Sequence, residues 1–438
     1  MFQRPHLALA LTLAACTGSQ ARVKKTVAEL LAAGDPAAAS RLIESRRDEY
    51  GPSNAALYDL DLGLALHYAG AYRQSSRRIG SAEARLEELY TKSVSAAGGR
   101  LIANENIADF RGRPLDRVLG QIFDALNYTL LGEPDEALVA VRRMEAYLDE
   151  VGRTAPAQAP YSDDGLARYL AALLYSDSGR ADDARISFEA AQKAYARYEA
   201  LYGLKAPALA SPAVPEEMGE LVLIHYNGPA PRKLAVSATA GEEAPPAKET
   251  ESSAAPKGGQ ARERLAGAAA GTLRATGDAV GSVARAASGA TRAVVGAVLN
   301  TSYPRYVQDA SRVAGSEVDT SEGKVATDVF TDIFAIVSRD LGEDIARLKA
   351  RSTMRAILKL AQHAATGVDA SGSEFADVRS WSTLPAQIRL ARAPLKPGSH
   401  RVVVRRLDAA GGVVSTRVFE NVRIRPGRRT WLIDQTAA

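Results

Sequence analysis

The stretch that decides the fold is GQIFDALNYTLLGEPDEALVAVRR, Gly120–Arg143. Two apolar runs with a three-and-four spacing flank a Gly132-Glu133-Pro134 break. Ile122, Leu126, Leu130 and then Leu138, Val141 each mark one side of a helix, because positions three or four apart share a helical face. Glycine accepts the left-handed backbone that ends a helix, and proline is tolerated at the first turn of the next. The stretch therefore predicts two helices folded back on each other across a tight turn.

Working outward, the same grammar recurs between residues 21 and about 203. Apolar residues repeat at Val27, Leu30, Leu31 and at Leu57, Leu60, Leu64, with glycines at Gly34, Gly70, Gly132 and Gly179. Seven residues before each of the last three glycines stands a small side chain, Gly63, Ala125 or Ala172. Four before each stands a larger one, Leu66, Tyr128 or Tyr175, and Ala137 and Ala184 follow in the second helices. Small residues let paired helices approach, and large ones fill the gap between pairs. This resembles the tetratricopeptide repeat. The glycines lie 36, 62 and 47 residues apart, against a regular ~34, so the repeats are degenerate or carry inserted helices. A generic helical bundle is the plainer alternative.

Beyond residue 219 the texture is different. Leu221-Val222-Leu223-Ile224-His225-Tyr226 is a strand-like run closed by Asn227-Gly228-Pro229, and Lys233–Ala238 is expected to pair with it as a hairpin. Glu242–Gln260 is rich in Glu, Pro, Lys and Ser and reads as a linker or extruded loop. Arg264–Asn300 is an Ala/Gly tract interrupted by Arg274, Asp278, Arg285 and Arg292, which reads as a weak helical insertion. Asp328–Ala365 is expected to be helical, with Phe330, Phe334, Val337, Leu341, Ile345 and Leu348 on one stripe. Arg351, Arg355, Lys359 and His363 stand four apart on another side. That basic ridge suits an anionic partner, although such a run is more often a solvated face. Ala386–Ala391, Ser399–Leu407, Val413–Ile424 and Thr430–Ile433 read as strands separated by Gly/Pro turns. The expected fold class is α+β: an N-terminal tetratricopeptide-like α-solenoid, then a small β-sandwich-like domain with a long helical insertion. The expected divisions are 1–15 as a signal peptide, 16–210 helical repeats, 219–240 the first strands, 241–300 the insertion and 301–438 a helix plus β domain.

The first residues, MFQRPHLALALTLAACTGSQ, carry Arg4, an apolar run from Leu7 to Ala15, and Leu13-Ala14-Ala15-Cys16. The run is too short to span a bilayer, which takes ~20 apolar residues. It resembles a bacterial lipobox, which implies cleavage and diacylation at Cys16, the only cysteine. Two or more acyl chains give stable membrane anchoring, and Thr17 rather than Asp suggests delivery to the outer membrane. Cleavage would leave 423 of the 438 residues. With 46% apolar and 24% charged residues the chain has ordinary globular composition. A net charge of +4 is too weak to indicate nucleic-acid binding.

Asn104-Glu105-Asn106 with Phe110-Arg111-Gly112, Asp124-Ala125-Leu126-Asn127-Tyr128, Gly219-Glu220-Leu221-Val222 and Asp377–Pro385, taken in that order, resemble an uncharacterised family of bacterial outer-membrane lipoproteins with an N-terminal helical-repeat domain. The resemblance covers most of the chain except roughly 240–300. It implies a lipid-anchored periplasmic scaffold or binding protein, with no activity or cofactor to transfer. Some family members are encoded beside lipoproteins that activate peptidoglycan synthases, which points toward cell-wall synthesis. An assembly factor for secretion or surface-polymer export is the alternative. Trp381 with Leu384-Pro385 is read as an aromatic buried at a domain corner.

The five histidines, His6, His67, His225, His363 and His400, form no metal-ligand spacing, and no GxSxG elbow, P-loop or dinucleotide fingerprint occurs. No catalytic or metal-binding residue is therefore expected. Carboxylates are plentiful, so a peptidoglycan hydrolase is kept as the enzyme alternative. Repeat solenoids bind along their concave side. The expected binding residues are thus Asn127, Asn104 and Asn106, with Tyr128 assigned to the core.

Overall fold

The structure is a computed structural model that describes residues 20–95, 108–154, 161–237, 302–345 and 376–437. Cys16, Asn104, Asn106, Arg351, Arg355, Lys359 and the 241–300 insertion lie outside the described residues. The chain divides into two compact units. The first holds residues up to Leu234, Arg305–Glu343 and Val378–Ala438. The second holds Ala235–Pro304 and Asp344–Asp377, of which few residues are described. The fold is mixed α+β.

Helix α1 covers 20–32. It is followed by α2 (Pro36–Ser45), the single turn α3 (Arg47–Tyr50), α4 (Ala55–Tyr68), α5 (Tyr72–Ser95), α6 (Pro114–Leu131), α7 (Pro134–Thr154), α8 (Gly165–Asp177) and α9 (Ala181–Tyr202). The pairs α4–α5, α6–α7 and α8–α9 pack together in sequence. Their turns follow the expected chemistry: Gly70, Gly132 and Gly179 have φ of 76°, 74° and 71°, a region a β-carbon disfavours. Close approach is equally visible at Gly63, where an added Cβ would sit 2.9 Å from Ile79 Cγ1 on α5.

The strands are β1 (Gly219–Asn227), β2 (Arg232–Ser237), β3 (Ser302–Val307), β4 (Gly315–Thr320), β5 (Gly323–Ala326), β6 (Asp328–Asp332), β7 (Gln387–Leu395), β8 (Gly398–Leu407), β9 (Val413–Ile424) and β10 (Arg429–Thr436). They form a sheet of order β10-β1-β7-β6, another of order β5-β4-β8-β9, and the pair β2-β3. β1 runs parallel to β10, from Glu220 opposite Arg429 to Asn227 opposite Thr436, and antiparallel to β7.

All nine residues of β1 are buried, as expected for a strand covered on both faces. Leu221 and Leu223 join Val318, Ala391, Ala393, Leu395, Val402, Val404, Val422 and Ile424 in a core between the two four-stranded sheets. Val222, Ile224 and Tyr226 belong instead to the larger core shared with the helices. The first unit is thus layered as helices, sheet, sheet, with β1 at its centre. No helix among the described residues is long and apolar enough to cross a membrane.

Two local expectations are corrected. The strand expected over 233–238 is β2, which pairs with β3 and not with β1, because both edges of β1 are taken by β7 and β10; residue 238 lies outside the described residues. The predicted helix from Asp328 begins as strand β6, and the helix, α10, occupies 333–345. Val329, Phe330 and Thr331 are β-branched or aromatic and meet β7 across a bulge between Val329 and Thr331. Phe330 therefore packs from a strand and stacks on Tyr169 of α8 at 5.3 Å.

Candidate functional site

The candidate site is the face of α4, α6 and α8 on which a solenoid would hold a partner. Here that face carries the chain's own first sheet. Tyr226 enters between α4 and α6, in contact with the rings of His67, Tyr68 and Phe123 at 5.4–5.6 Å. Trp381, 2% exposed, meets Phe123 edge-on at 6.0 Å. The expected aromatic corner is therefore present, set against the middle helices.

Asn127 does not face an open groove. It is fully buried, which overturns its assignment to a groove, whereas Tyr128, assigned to the core, is half-buried and packs against the core's edge. The reason is a closed hydrogen-bond chain. Tyr226 OH donates to His67 Nε2 over 2.9 Å, and His67 Nδ1–H donates to Asn127 Oδ1 over 2.7 Å. Asn127 Nδ2 then donates to Ser75 Oγ over 2.9 Å. This assignment fixes the imidazole as neutral with its proton on Nδ1. Burial, only partly opposed by the Asn127 contact, lowers the His67 pKa to about 4. Asn127 does make polar contacts, but with the neighbouring helices α4 and α5, and it reaches the chain's own sheet only through His67.

A second polar tie fastens the 381–385 loop. Asp61, fully buried on α4, accepts from the backbone N–H groups of Ser382 at 2.7 Å and Thr383 at 3.2 Å, and from Tyr50 OH at 3.0 Å. Burial raises its pKa; Lys24 and these hydrogen bonds oppose the rise. Trp381 Nε1 donates to Thr383 Oγ1 at 2.9 Å, so the loop and its indole are positioned as one piece.

At the other end of the sheet, Glu220 accepts from both Arg392 (Nε, 2.8 Å) and Arg429 (Nε, 2.7 Å). Arg392 also donates to Tyr169 OH at 2.7 Å, and Arg429 pairs with Asp177 of α8. Arg429 is fully buried as a side chain, and its remaining donors are satisfied by the Leu173 and Pro212 carbonyls. Buried charges persist only when paired and hydrogen-bonded in this way. Nothing in the local sequence signalled this cluster, since its hydrogen bonds join residues up to 256 positions apart.

One constellation has catalytic residue types. Ser316 Oγ lies 2.8 Å from His225 Nδ1, and Asp434 Oδ2 lies 4.0 Å from His225 Nε2. In a nucleophilic triad the serine uses Nε2 and the carboxylate orients Nδ1; here the sides are exchanged. Nε2 donates instead to Thr436 Oγ1 at 2.8 Å, and Arg406 holds both carboxylate oxygens of Asp434 through Nε and Nη2. Ser316 is 2% exposed and His225 and Asp434 fully buried, so no substrate carbonyl reaches the hydroxyl. These residues tie the two sheets together. Arg406 draws the Asp434 pKa down against the opposing effect of burial, and burial lowers the His225 pKa to about 4.

A cleft of about 20 Å³ lies beside Tyr68, Tyr226, Thr383, Leu384, Pro385 and Ala437. That is room for roughly one water. Among the described residues no three His, Cys, Asp or Glu side chains gather as metal ligands. No family model, curated protein or solved structure matches this chain.

Proposed function

We propose that this chain is a lipid-anchored scaffold or binding protein on the periplasmic face of the outer membrane, attached through acyl chains on Cys16. It would support a cell-envelope assembly complex concerned with peptidoglycan synthesis or its regulation, without catalysing a reaction itself. We read the helix pairs as degenerate tetratricopeptide units.

The observation that carries this reading is the occupied helical face. Tyr226, Trp381, Glu220 and Arg429 fasten the sheet to α4, α6 and α8, so helices and sheets of the first unit act as one block. A block held rigid by internally paired polar groups suits presentation of fixed surfaces to partners. On this reading a partner meets the outer helices α5, α7 and α9 or the solvent side of the second sheet. The lipobox-like Leu13-Ala14-Ala15-Cys16 supports the attachment. Cys16 stands four residues before α1, a reach of at most roughly 14 Å at ~3.5 Å per residue. That would hold the block close to the bilayer.

The test is Cys16→Ser in cells, with fractionation and incorporation of a palmitate analogue. We expect the variant to lose both the label and the membrane fraction. Unchanged fractionation would overturn the anchor. In the wild type, cross-linking from the outer helices should capture envelope proteins; capture of none would remove the scaffold reading while leaving the anchor standing.

A further inference from the structure

The contact between α5, α6 and α7 contains a polar row that the helix–sheet tie does not use. Arg117, Gln121 and Asp124 share one face of α6, being four and three residues apart. Opposite them on α5 stands Glu83, whose Oε1 would lie 3.7 Å from a Cβ added at Gly120. Arg143 of α7 approaches both carboxylates, at 3.4 Å from Glu83 Oε2 and 3.9 Å from Asp124 Oδ2.

The other oxygens are short of donors. Glu83 Oε1, Asp124 Oδ1 and Gln121 Oε1 are sealed from solvent without a hydrogen-bond partner, as are the donors Arg117 Nε and Ser76 Oγ at the same contact. Glu83 is 7%, Asp124 5% and Gln121 2% exposed. Glu83 and Asp124 are thus two buried carboxylates sharing the Arg143 guanidinium, and carboxylates that share a site favour the uptake of a proton by one of them. A proton supplies the missing donor without needing further space.

We infer that this crevice is a proton-binding site, in which Glu83 is held as the neutral acid and its O–H donates to an orphan oxygen of Asp124 or Gln121. The surrounding charges agree. Burial, then the Asp124 carboxylate, push the Glu83 pKa up to about 7, against Arg143 and Arg117. Arg117 is largely engaged elsewhere, pairing with Glu87 at 2.6 Å and lying over the Tyr147 ring at 4.0 Å. Asp124 is raised chiefly by burial and further by Glu136 of α7, with Ser76 and Arg143 opposing. Tyr128 also faces Asp124, and Leu60 of α4 comes close to Gly120.

The sign follows from linkage. A carboxyl whose folded pKa is raised binds more protons in the folded chain than in the unfolded one, so its contribution is lost as pH rises. For Glu83 the window runs from about 4.5 to about 7. The buried histidines His67 and His225, lowered from 6.5 to about 4, act in the opposite sense and weaken the fold as pH falls. A comparison of variants is therefore needed to isolate Glu83.

The experiment is thermal unfolding of the whole mature chain between pH 5 and 8, for wild type and Glu83→Gln, an uncharged near-isostere of the neutral acid. The melting temperatures should be close at pH 5, with the variant the more stable at pH 8. Parallel profiles would overturn the inference. Should Glu83→Gln not fold, Asp124→Asn and the infrared neutral-carboxyl band of the wild type at pH 6 provide the reading. Absence of that band would also overturn it. A wild-type melting temperature at pH 8 that rises with millimolar Ca²⁺ or Mg²⁺, and fails to do so in Asp124→Asn, would assign the crevice to a metal cation instead.

Discussion

At the scale of single residues, Asn127 shows how polarity alone misplaces a side chain. An amide beside an aromatic on an amphipathic helix reads as the exposed member of the pair, because Asn is seldom fully buried. Burial becomes favourable only when every donor and acceptor is met, and here His67 and Ser75 meet them from neighbouring helices. Asn127→Ala leaves the His67 Nδ1–H and the Ser75 hydroxyl buried without this partner. We expect a loss of ~1–3 kcal/mol, the cost of stranding buried polar groups. Urea unfolding followed by circular dichroism measures it, and an unchanged midpoint would contradict the hydrogen-bond chain.

At the scale of elements, the helix pairs and the later strands were legible because their signals are local. Gly70, Gly132 and Gly179 adopt the left-handed backbone that their place in the pattern demands, and β9 covers the same twelve residues that its composition marks out. Gly63 was read as a point of close approach and sits against Ile79. Gly63→Leu should therefore force α4 and α5 apart and cost ~1–3 kcal/mol by overpacking. Calorimetry would check this; a variant as stable as the wild type would show that the pair has slack. Strand β6 was missed because Phe330 and Phe334 keep a four-residue spacing that satisfies a helix, while β7 supplies a strand partner from more than fifty residues away.

At the scale of the whole molecule, the helices of the first unit share one core with the first sheet, whose other face packs on the second sheet, so all three layers should unfold together. Trp381 lies within the helix–sheet contact, and Trp431 is partly buried on β10. Tryptophan fluorescence therefore reports on the sheet side while far-ultraviolet circular dichroism at helical wavelengths reports on the helices. We expect the two to trace one transition with a common midpoint, the signature of two-state behaviour. A helical signal that outlasts the fluorescence change would mean that the helices stand alone and that the sheet is only a passenger on their surface.

By itself the sequence determined the α+β class, the helix–turn grammar with its glycines, the run at Leu221 that is buried on both faces, and the strands near the end of the chain. All of these rest on spacings within a dozen residues, where helical and strand periodicity act directly. Only the tertiary structure decided that β10 lies parallel to β1, that Glu220 meets Arg392 and Arg429, and that Tyr226 closes the face where Asn127 was expected to receive a partner. Those pairings join positions 159 to 209 residues apart. Their free energy comes from excluding water around groups that the chain brings together only once it is folded, and no local pattern encodes which distant partner will satisfy a buried charge.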